Sequence, residues 1–285
     1  MENVLTPAQA LILACVQGAT EFIPVSSSGH LVLLRRIFGW TDDGGLVFDI
    51  VLHAGSLAAI LFYFWREWLK VGQGLLQPAR MPPFYRRLPW LLLLATLPAA
   101  AAAPLLLPFL EDADGARNSL TTGLSMLATG LWFWLCDRHA ERRAGAAGRG
   151  AGEAAGAVEQ FGWRDAFWAG MVQVLALLPG ASRSGWTTGA GVLRGYQRAA
   201  AVRFAFYMAV PAILGAIVLQ ARAIFHGPPS AAAPGLMLAG FLVSLAASLL
   251  AIRFCLWFFR AHSFRLFRYY MLLTGAAVLA WELML

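Results

Sequence analysis

Long apolar runs separated by short polar segments dominate the chain. Six runs approach the roughly 20 residues that an α-helix needs to cross a membrane, so each is predicted to be a transmembrane helix. They are Leu46 to Trp65, Leu88 to Pro108, Ser119 to Cys136, Ala199 to Ala221, Pro234 to Phe258 and Tyr269 to Leu285. Two further apolar stretches, Pro7 to Phe38 and Asp165 to Gly195, are interrupted by Pro, Ser and Gly, so neither is predicted to form one spanning helix.

The charged residues between the apolar runs predict how the helices are oriented. The segments Arg66 to Arg87 and Asp137 to Arg164 are rich in Lys and Arg, which places both in the cytoplasm. The segment Glu111 to Arg117 contains Glu111, Asp112 and Asp114, and is placed outside. These assignments agree throughout the chain if each interrupted stretch enters the membrane, turns and leaves on the side it entered.

The pattern therefore predicts an all-α integral membrane protein made of two inverted repeats. Each repeat would be a re-entrant helix-loop-helix hairpin followed by three transmembrane helices. Residues 1–136 would form the first repeat, residues 137–164 a cytoplasmic linker and residues 165–285 the second repeat. Inverted repeats with broken helices at corresponding positions point to a site near the bilayer midplane.

The amino-acid composition agrees with a protein embedded in lipid and argues against binding of nucleic acid. Hydrophobic residues make up 59% of the chain and charged residues 13%, against roughly half and a quarter in soluble domains. The net charge of +7 comes from Lys and Arg in short loops, so no nucleic-acid partner is expected. The 3 cysteines lie in apolar surroundings and are expected to be small buried side chains rather than disulfides or metal ligands.

The two interruptions contain similar sets of polar residues, which indicates an internal duplication. The polar candidates in the first are Gln17, Glu21, Ser26, Ser27, Ser28 and His30, and those in the second are Ser182, Arg183, Ser184 and Thr187. Ionisable groups at membrane depth are functional candidates by default, which singles out Glu21, His30 and Arg183. One alternative is a purely structural ion pair between Glu21 and Arg183, which leaves His30 and the serines unexplained.

This set of residues suits a phosphate group. The loops that precede the second half-helices would direct backbone N–H groups and positive helix ends towards one anion. Arg183 adds a planar, permanently charged fork for phosphate oxygens. Gln17 and Glu21 lie four residues apart on one helix face, where their oxygens could hold Mg²⁺ or Ca²⁺ beside the phosphates.

In these motifs the chain resembles the undecaprenyl-diphosphate phosphatase family, also called the bacitracin-resistance proteins. The family's Glu/Gln-x-x-x-Glu element matches Gln17 and Glu21, its Pro-x-Ser-Ser-x-Gly-His element matches Pro24 to His30, and its Pro-Gly-x-Ser-Arg-Ser-x-x-Thr element matches Pro179 to Thr187. The resemblance implies hydrolysis of undecaprenyl diphosphate to undecaprenyl phosphate and inorganic phosphate, which recycles the lipid carrier of peptidoglycan synthesis and confers bacitracin resistance. It also implies a divalent cation, an inner-membrane location and a site that opens to the outer, periplasmic face.

The expected roles follow from the resemblance together with the chemistry. Ser27 would be the nucleophile, His30 its acid–base partner, Glu21 a metal ligand or proton acceptor, and Arg183 the clamp on the transferring phosphoryl group. The phosphate oxygens would contact Ser26, Ser28, Ser182, Ser184 and Thr187. Because position 17 is Gln, the cation would bind Gln17 and Glu21 but depend mainly on the diphosphate. Direct attack by water or by His30 is left open.

Two other classes of protein share some of these features. A polyprenyl-phosphate transporter would use the same inverted repeats for alternating access, and would need an anion site but no nucleophile. The type 2 phosphatidic acid phosphatase architecture requires a second His with an Asp four residues later, and Gly189 to Arg194 supply neither. Asp49 and His53 are expected to form a structural pair, and Arg203 to support the second hairpin. A homodimer is left open.

Overall fold

The computed structural model describes residues 5–40, 45–111, 119–146, 156–226 and 233–284. Within these ranges the chain is helical, which confirms the predicted all-α membrane class. The α-helices are α1 (Pro7–Phe22), α2 (Ser27–Phe38), α3 (Gly45–Tyr63), α4 (Trp65–Leu76), α5 (Pro83–Glu111), α6 (Ser119–Ala146), α7 (Trp163–Leu175), α8 (Arg183–Leu193), α9 (Arg198–His226), α10 (Pro234–Phe258) and α11 (Arg265–Met284). Short 3₁₀ helices lie at Pro78–Arg80 and Val158–Gln160.

Both interrupted stretches form two half-helices joined by a short break, as the sequence predicted. Helix α1 begins with a capping box, in which the side chains and backbone N–H groups of Thr6 and Gln9 satisfy each other. It ends before Pro24, because the residue that precedes a proline is disfavoured in a helix, and Ile23 is indeed extended. Helix α2 then starts at Ser27, so the chain reverses within four residues.

Five of the six predicted transmembrane segments are confirmed as helices that could cross a membrane. In the described part of the chain, the helices long and apolar enough are Leu46–Tyr63, Pro83–Leu106, Ser119–Gly145, Arg198–Gln220 and Pro234–Phe258. The sixth segment forms α11, which is less apolar because it contains charged and aromatic polar residues such as Arg268, Tyr270 and Glu282. The molecule is therefore a multi-pass membrane protein.

The first half-helix of each hairpin packs against the other half of the chain. Helix α1 lies against α10, α7 lies against α5, and the pairs α3–α9 and α6–α11 each join the two halves. Two glycines permit this close approach: a Cβ at Gly18 would lie 2.3 Å from the carbonyl oxygen of Ser244, and one at Gly170 would lie 2.5 Å from that of Ala95. The crossed pairing is what a duplicated chain would produce. The inverted insertion and the three-part division of the chain remain predictions.

Two predicted loops are more helical than expected. The basic segment that follows α3 contains the amphipathic helix α4, in which Trp68 packs on the core while Arg66 stacks on Trp65. An ion pair of 2.6 Å between Glu67 and Arg203 attaches α4 to α9. Arg203 also donates to Tyr207 on its own helix, so its contacts run to α4 and α9 rather than to the second hairpin.

The predicted linker also begins as helix, since α6 continues to Ala146. Asp137 stays buried in this extension because it accepts hydrogen bonds from Arg198 and from the N–H of Phe264. The Gly/Ala-rich residues 147–155 and the acidic residues Asp112 and Asp114 lie outside the described residues. Of the three unpaired cysteines, Cys136 and Cys255 are buried as predicted, but Cys15 is exposed on the outer side of α1, where a small apolar side chain can face lipid.

Candidate active site

A strained serine forms the turn at the first break. Ser26 has a φ of 73°, and among the described residues it is the non-glycine residue with a positive φ. Such a conformation costs about 1–3 kcal/mol and is concentrated at functional sites. The Ser26 hydroxyl accepts a hydrogen bond from the N–H of Gly29 at 3.3 Å, and its Oγ lies 3.5 Å from that of Ser28. The hydroxyls therefore cluster at the positive end of α2.

The second break repeats this arrangement at the start of α8. The Ser182 hydroxyl accepts from the N–H of Gly185 at 3.2 Å, and its Oγ lies 3.3 Å from that of Ser184. The residue after the capping serine is Ser27 in the first break and Arg183 in the second. The duplicated caps thus present a hydroxyl from one half of the chain and a guanidinium from the other.

Glu21 joins the two breaks. Its Oε1 accepts from Nη2 of Arg183 at 2.6 Å, while its Oε2 accepts from the hydroxyl of Ser27 at 2.7 Å. Nε2 of Gln17, one turn earlier on α1, also donates to Oε2 at 2.9 Å. The side chain of Glu21 is only 6% exposed, and its paired partners are what make burial of a carboxylate tolerable. The predicted ion pair exists, but it also engages the candidate nucleophile.

His53 lies at the same carboxylate, which the sequence did not predict. Its Nε2 is 3.8 Å from Oε2 of Glu21, and its Nδ1 is 2.8 Å from the backbone carbonyl of Asp49. The carboxylate of Asp49 instead binds Arg35 through two hydrogen bonds of 2.7 and 3.0 Å. The structural role predicted for Asp49 therefore fits its contacts, whereas His53 faces the site. The sequence signal that could have indicated a functional role for His53 was its position, as an ionisable residue within an apolar helix.

His30 is turned away from Ser27. Its Nδ1 lies 2.7 Å from the backbone carbonyl of Ser26, and its Nε2 is hydrogen-bonded to the hydroxyl of Tyr270. The proton acceptor that contacts the Ser27 hydroxyl is thus Glu21, and the direct pairing of Ser27 with His30 that the sequence suggested does not form in this structure. Tyr270 was missed because it lies 240 residues away along the chain and in no motif.

The other predicted phosphate contacts divide into two groups. Ser26, Ser28 and Ser182 surround the helix starts described above. Ser184 and Thr187 instead direct their hydroxyls to backbone carbonyls: Ser184 to Ile23 at 3.4 Å, and Thr187 to Arg183 at 2.8 Å. Those two hydrogen bonds hold the breaks together and brace α8, and contact of either residue with phosphate remains a prediction.

Two buried polar atoms at the site lack a partner in the described part of the chain. They are Nη1 of Arg183, which is a donor, and Oε1 of Gln17, which is an acceptor. An unpaired buried polar group costs about 1–3 kcal/mol, so each of these atoms requires a partner such as water, an ion or a ligand. A donor and an acceptor on either side of Glu21 are complementary to a phosphate oxygen and a cation, respectively.

The donor set fits a hard divalent cation only in part. Mg²⁺ and Ca²⁺ prefer six or more oxygen ligands, and near Glu21 the protein offers that carboxylate and the free Oε1 of Gln17. No cluster of three or more His, Cys, Asp or Glu suited to a metal occurs among the residues that the structure describes. A cation at these oxygens would therefore need further ligands from a bound diphosphate.

These features define an integral membrane protein with a buried site of charged and hydroxyl side chains, built where two broken helices meet. The chain belongs to the BacA family: the family model described as bacitracin resistance protein BacA matches residues 10–277. This confirms the resemblance that the motifs indicated.

Curated relatives named undecaprenyl-diphosphatase match almost end to end. The protein from Thermomicrobium roseum is 35% identical over 280 residues, which cover 95% of this chain and 96% of the relative. Those from Moorella thermoacetica and Desulforudis audaxviator are each 36% identical, and cover 97% and 96% of this chain and 98% and 97% of their own lengths.

Proposed function

We propose that this protein hydrolyses undecaprenyl diphosphate to undecaprenyl phosphate and inorganic phosphate. The observation that carries the proposal is the Ser27–Glu21–Arg183 network, in which a hydroxyl contacts a carboxylate that also binds an arginine with a free N–H. A polyprenyl-phosphate transporter would need the arginine but not the activated hydroxyl. The names of the relatives favour the same activity, which would return the lipid carrier to cell-wall synthesis and give resistance to bacitracin.

In the proposed mechanism Ser27 attacks the terminal phosphorus. Its proton passes to Oε2 of Glu21 as the Oγ–P bond forms, and the bond from that phosphorus to the bridging oxygen breaks, releasing undecaprenyl phosphate. Glu21 then gives this proton to the departing phosphate of undecaprenyl phosphate and is free to accept again. Water attacks the phosphoserine and passes a proton to Glu21, the Oγ–P bond breaks, Ser27 takes that proton back, and inorganic phosphate leaves. Arg183 and the N-terminal N–H groups of α2 and α8 stabilise the charge that develops on the phosphoryl oxygens.

We also propose that a divalent cation, Mg²⁺ or Ca²⁺, assists the reaction. Gln17 and Glu21 would hold it, and when bound it would neutralise charge on the diphosphate. The fit rests on the side-chain amide of Gln17, whose Nε2 donates to Glu21 and whose Oε1 has no partner in the described chain.

Purified protein with undecaprenyl diphosphate tests both proposals. We expect one inorganic phosphate per lipid consumed, loss of release when a chelator is added, and recovery when Mg²⁺ or Ca²⁺ is restored. Absence of phosphate release under every cation condition, with movement of the lipid phosphate across proteoliposomes, would instead support the transporter. Full activity in chelator would remove the cation from the proposal.

We further propose that the protein lies in the inner membrane as inverted repeats, with the site open to the outer face. The basic segments that contain α4 and the end of α6 support this orientation. Asp112 and Gly148, both outside the described residues, can each be replaced by cysteine in a separate variant in which Cys15 is already replaced by Ala. Each variant is then labelled in intact cells with a membrane-impermeant reagent. We expect labelling at position 112 and none at position 148. The opposite pattern would reverse the orientation.

A further inference from the structure

Two hydrogen bonds determine the tautomer of the neutral His30 ring. Its Nδ1 lies 2.7 Å from the carbonyl oxygen of Ser26, and a carbonyl can only accept, so Nδ1 carries the proton. In the neutral ring Nε2 is then a bare acceptor. The group that faces Nε2 is the hydroxyl of Tyr270, which must therefore donate. The rings of His30 and Tyr270 are also nearly parallel, with an angle of 7° and centroids 5.7 Å apart.

The packing of the last helix presents Tyr270 to the first break. Helix α11 lies against α6 along a line of glycines: a Cβ at Gly275 would lie 2.9 Å from the carbonyl oxygen of Gly123, so larger residues would push the helices apart. Helix α11 also contacts α2 away from His30, through an ion pair of 2.8 Å between Glu282 and Arg36. Tyr270 is thus held in place by contacts that do not depend on His30.

We infer that Tyr270 is a positioning residue of the active site, which acts by holding the His30 ring in one orientation through a hydrogen bond to Nε2, while the Ser26 carbonyl keeps the proton on Nδ1. The inference rests on the proposed phosphatase function, in which Glu21 receives the Ser27 proton and His30 remains for the leaving-group or water step. Without the phenol, the ring would be held on one side only, and its Nε2 could turn to other donors or to water. Hydrogen-bond partners that orient metal-bound histidines are typically worth about 10- to 100-fold in activity, and we expect an effect of the same size for an orienting contact to His30.

Tyr270→Phe tests the role, because it removes one hydroxyl and keeps the ring. We expect kcat to fall about 10- to 100-fold with KM changed less than about threefold, since an orienting contact acts on the chemical step. Tyr269→Phe is the matched control: this neighbouring tyrosine is 53% exposed and its ring contacts Arg268, so full activity is expected. In the double variant with His30→Gln, loss of Tyr270 should add almost nothing to the loss caused by His30→Gln alone.

Nitrogen-15 spectra of protein labelled at histidine give a readout separate from turnover. The His30 signals are assigned by their loss in His30→Gln. We expect wild type to show a single Nδ1–H form of His30 with a hydrogen-bonded Nε2. In Tyr270→Phe the Nδ1–H form should remain, because the Ser26 carbonyl still accepts from it, but the Nε2 signal should shift because the phenol no longer donates to Nε2. An unchanged spectrum together with unchanged kcat in Tyr270→Phe would overturn the inference and leave the phosphatase proposal standing. A wild type that releases no phosphate would overturn the phosphatase proposal, whatever the spectra show.

Discussion

Ser27→Ala is expected to lower the rate of phosphate release by at least about 10³-fold, because it removes the group that forms the bond to phosphorus. Binding of the diphosphate should change little, since Arg183 and the N-termini of α2 and α8 remain. The residual rate should be measured in single turnovers with enzyme in excess, so that slow product release does not hide the chemical step. Binding is measured separately as retention of the lipid by the inactive protein.

Ser28→Ala is the matched control for Ser27→Ala. Ser28 is the next residue of α2 and its Oγ lies 3.5 Å from that of Ser26, whereas the hydroxyl of Ser27 contacts Glu21 at 2.7 Å. The control is therefore expected to cost less than about tenfold, as for loss of one hydrogen bond between neutral, partly buried groups. If water or His30 attacked phosphorus directly, loss of Ser27 would cost about 10²-fold or less. A Ser27→Ala enzyme that retains a tenth of wild-type turnover would rule out serine as the nucleophile.

Features set by short-range chemistry could be predicted from the sequence. Pro24 and the serine caps at Ser26 and Ser182 end and restart helices through local backbone constraints, and the two breaks formed where those residues occur. The convergence of Glu21 with Arg183 could also be expected, because a charge at membrane depth requires a partner and each break offers few candidates. Local rules and the cost of burying charge were sufficient for these features.

The parts that could not be predicted depend on contacts between distant segments. Ser27 and His30 lie three residues apart, which suggested a direct pair, yet each binds a partner on another helix: Glu21 on α1 and Tyr270 on α11. Which partner is chosen depends on how α11 packs on α6, and no local spacing contains that information. The sequence likewise predicted a structural role for His53, because Asp49 lies one turn before it. The packing of α3 beside α1 instead directs His53 to Glu21.

Arg183→Lys is expected to lower kcat/KM by about 10²- to 10³-fold, as for loss of one preorganised donor to a developing oxyanion. In the resting site Nη2 of Arg183 binds Glu21 at 2.6 Å, while Nη1 is buried without a partner in the described chain. A lysine ammonium can keep the ion pair with Glu21, but it cannot also offer a second, coplanar N–H to phosphate. The substitution therefore separates the clamp from the ion pair, and the melting temperature in detergent should stay within a few degrees of that of the wild type.

Arg194→Lys provides the comparison on the same hairpin. Arg194 follows the last residue of α8, at the end of that helix away from the break, and binds Asp165 at 2.7 Å. Its exchange for lysine therefore tests an arginine–carboxylate pair outside the proposed site. It should reduce kcat/KM by less than about threefold, since partly exposed ion pairs contribute little and lysine preserves the charge. Phosphate release should be measured for both variants over a range of lipid concentrations, with melting temperatures recorded in the same detergent. Near-normal turnover by a well-folded Arg183→Lys protein would show that the free N–H of Arg183 does not hold the transferring phosphoryl group, and its role would then be limited to the ion pair with Glu21.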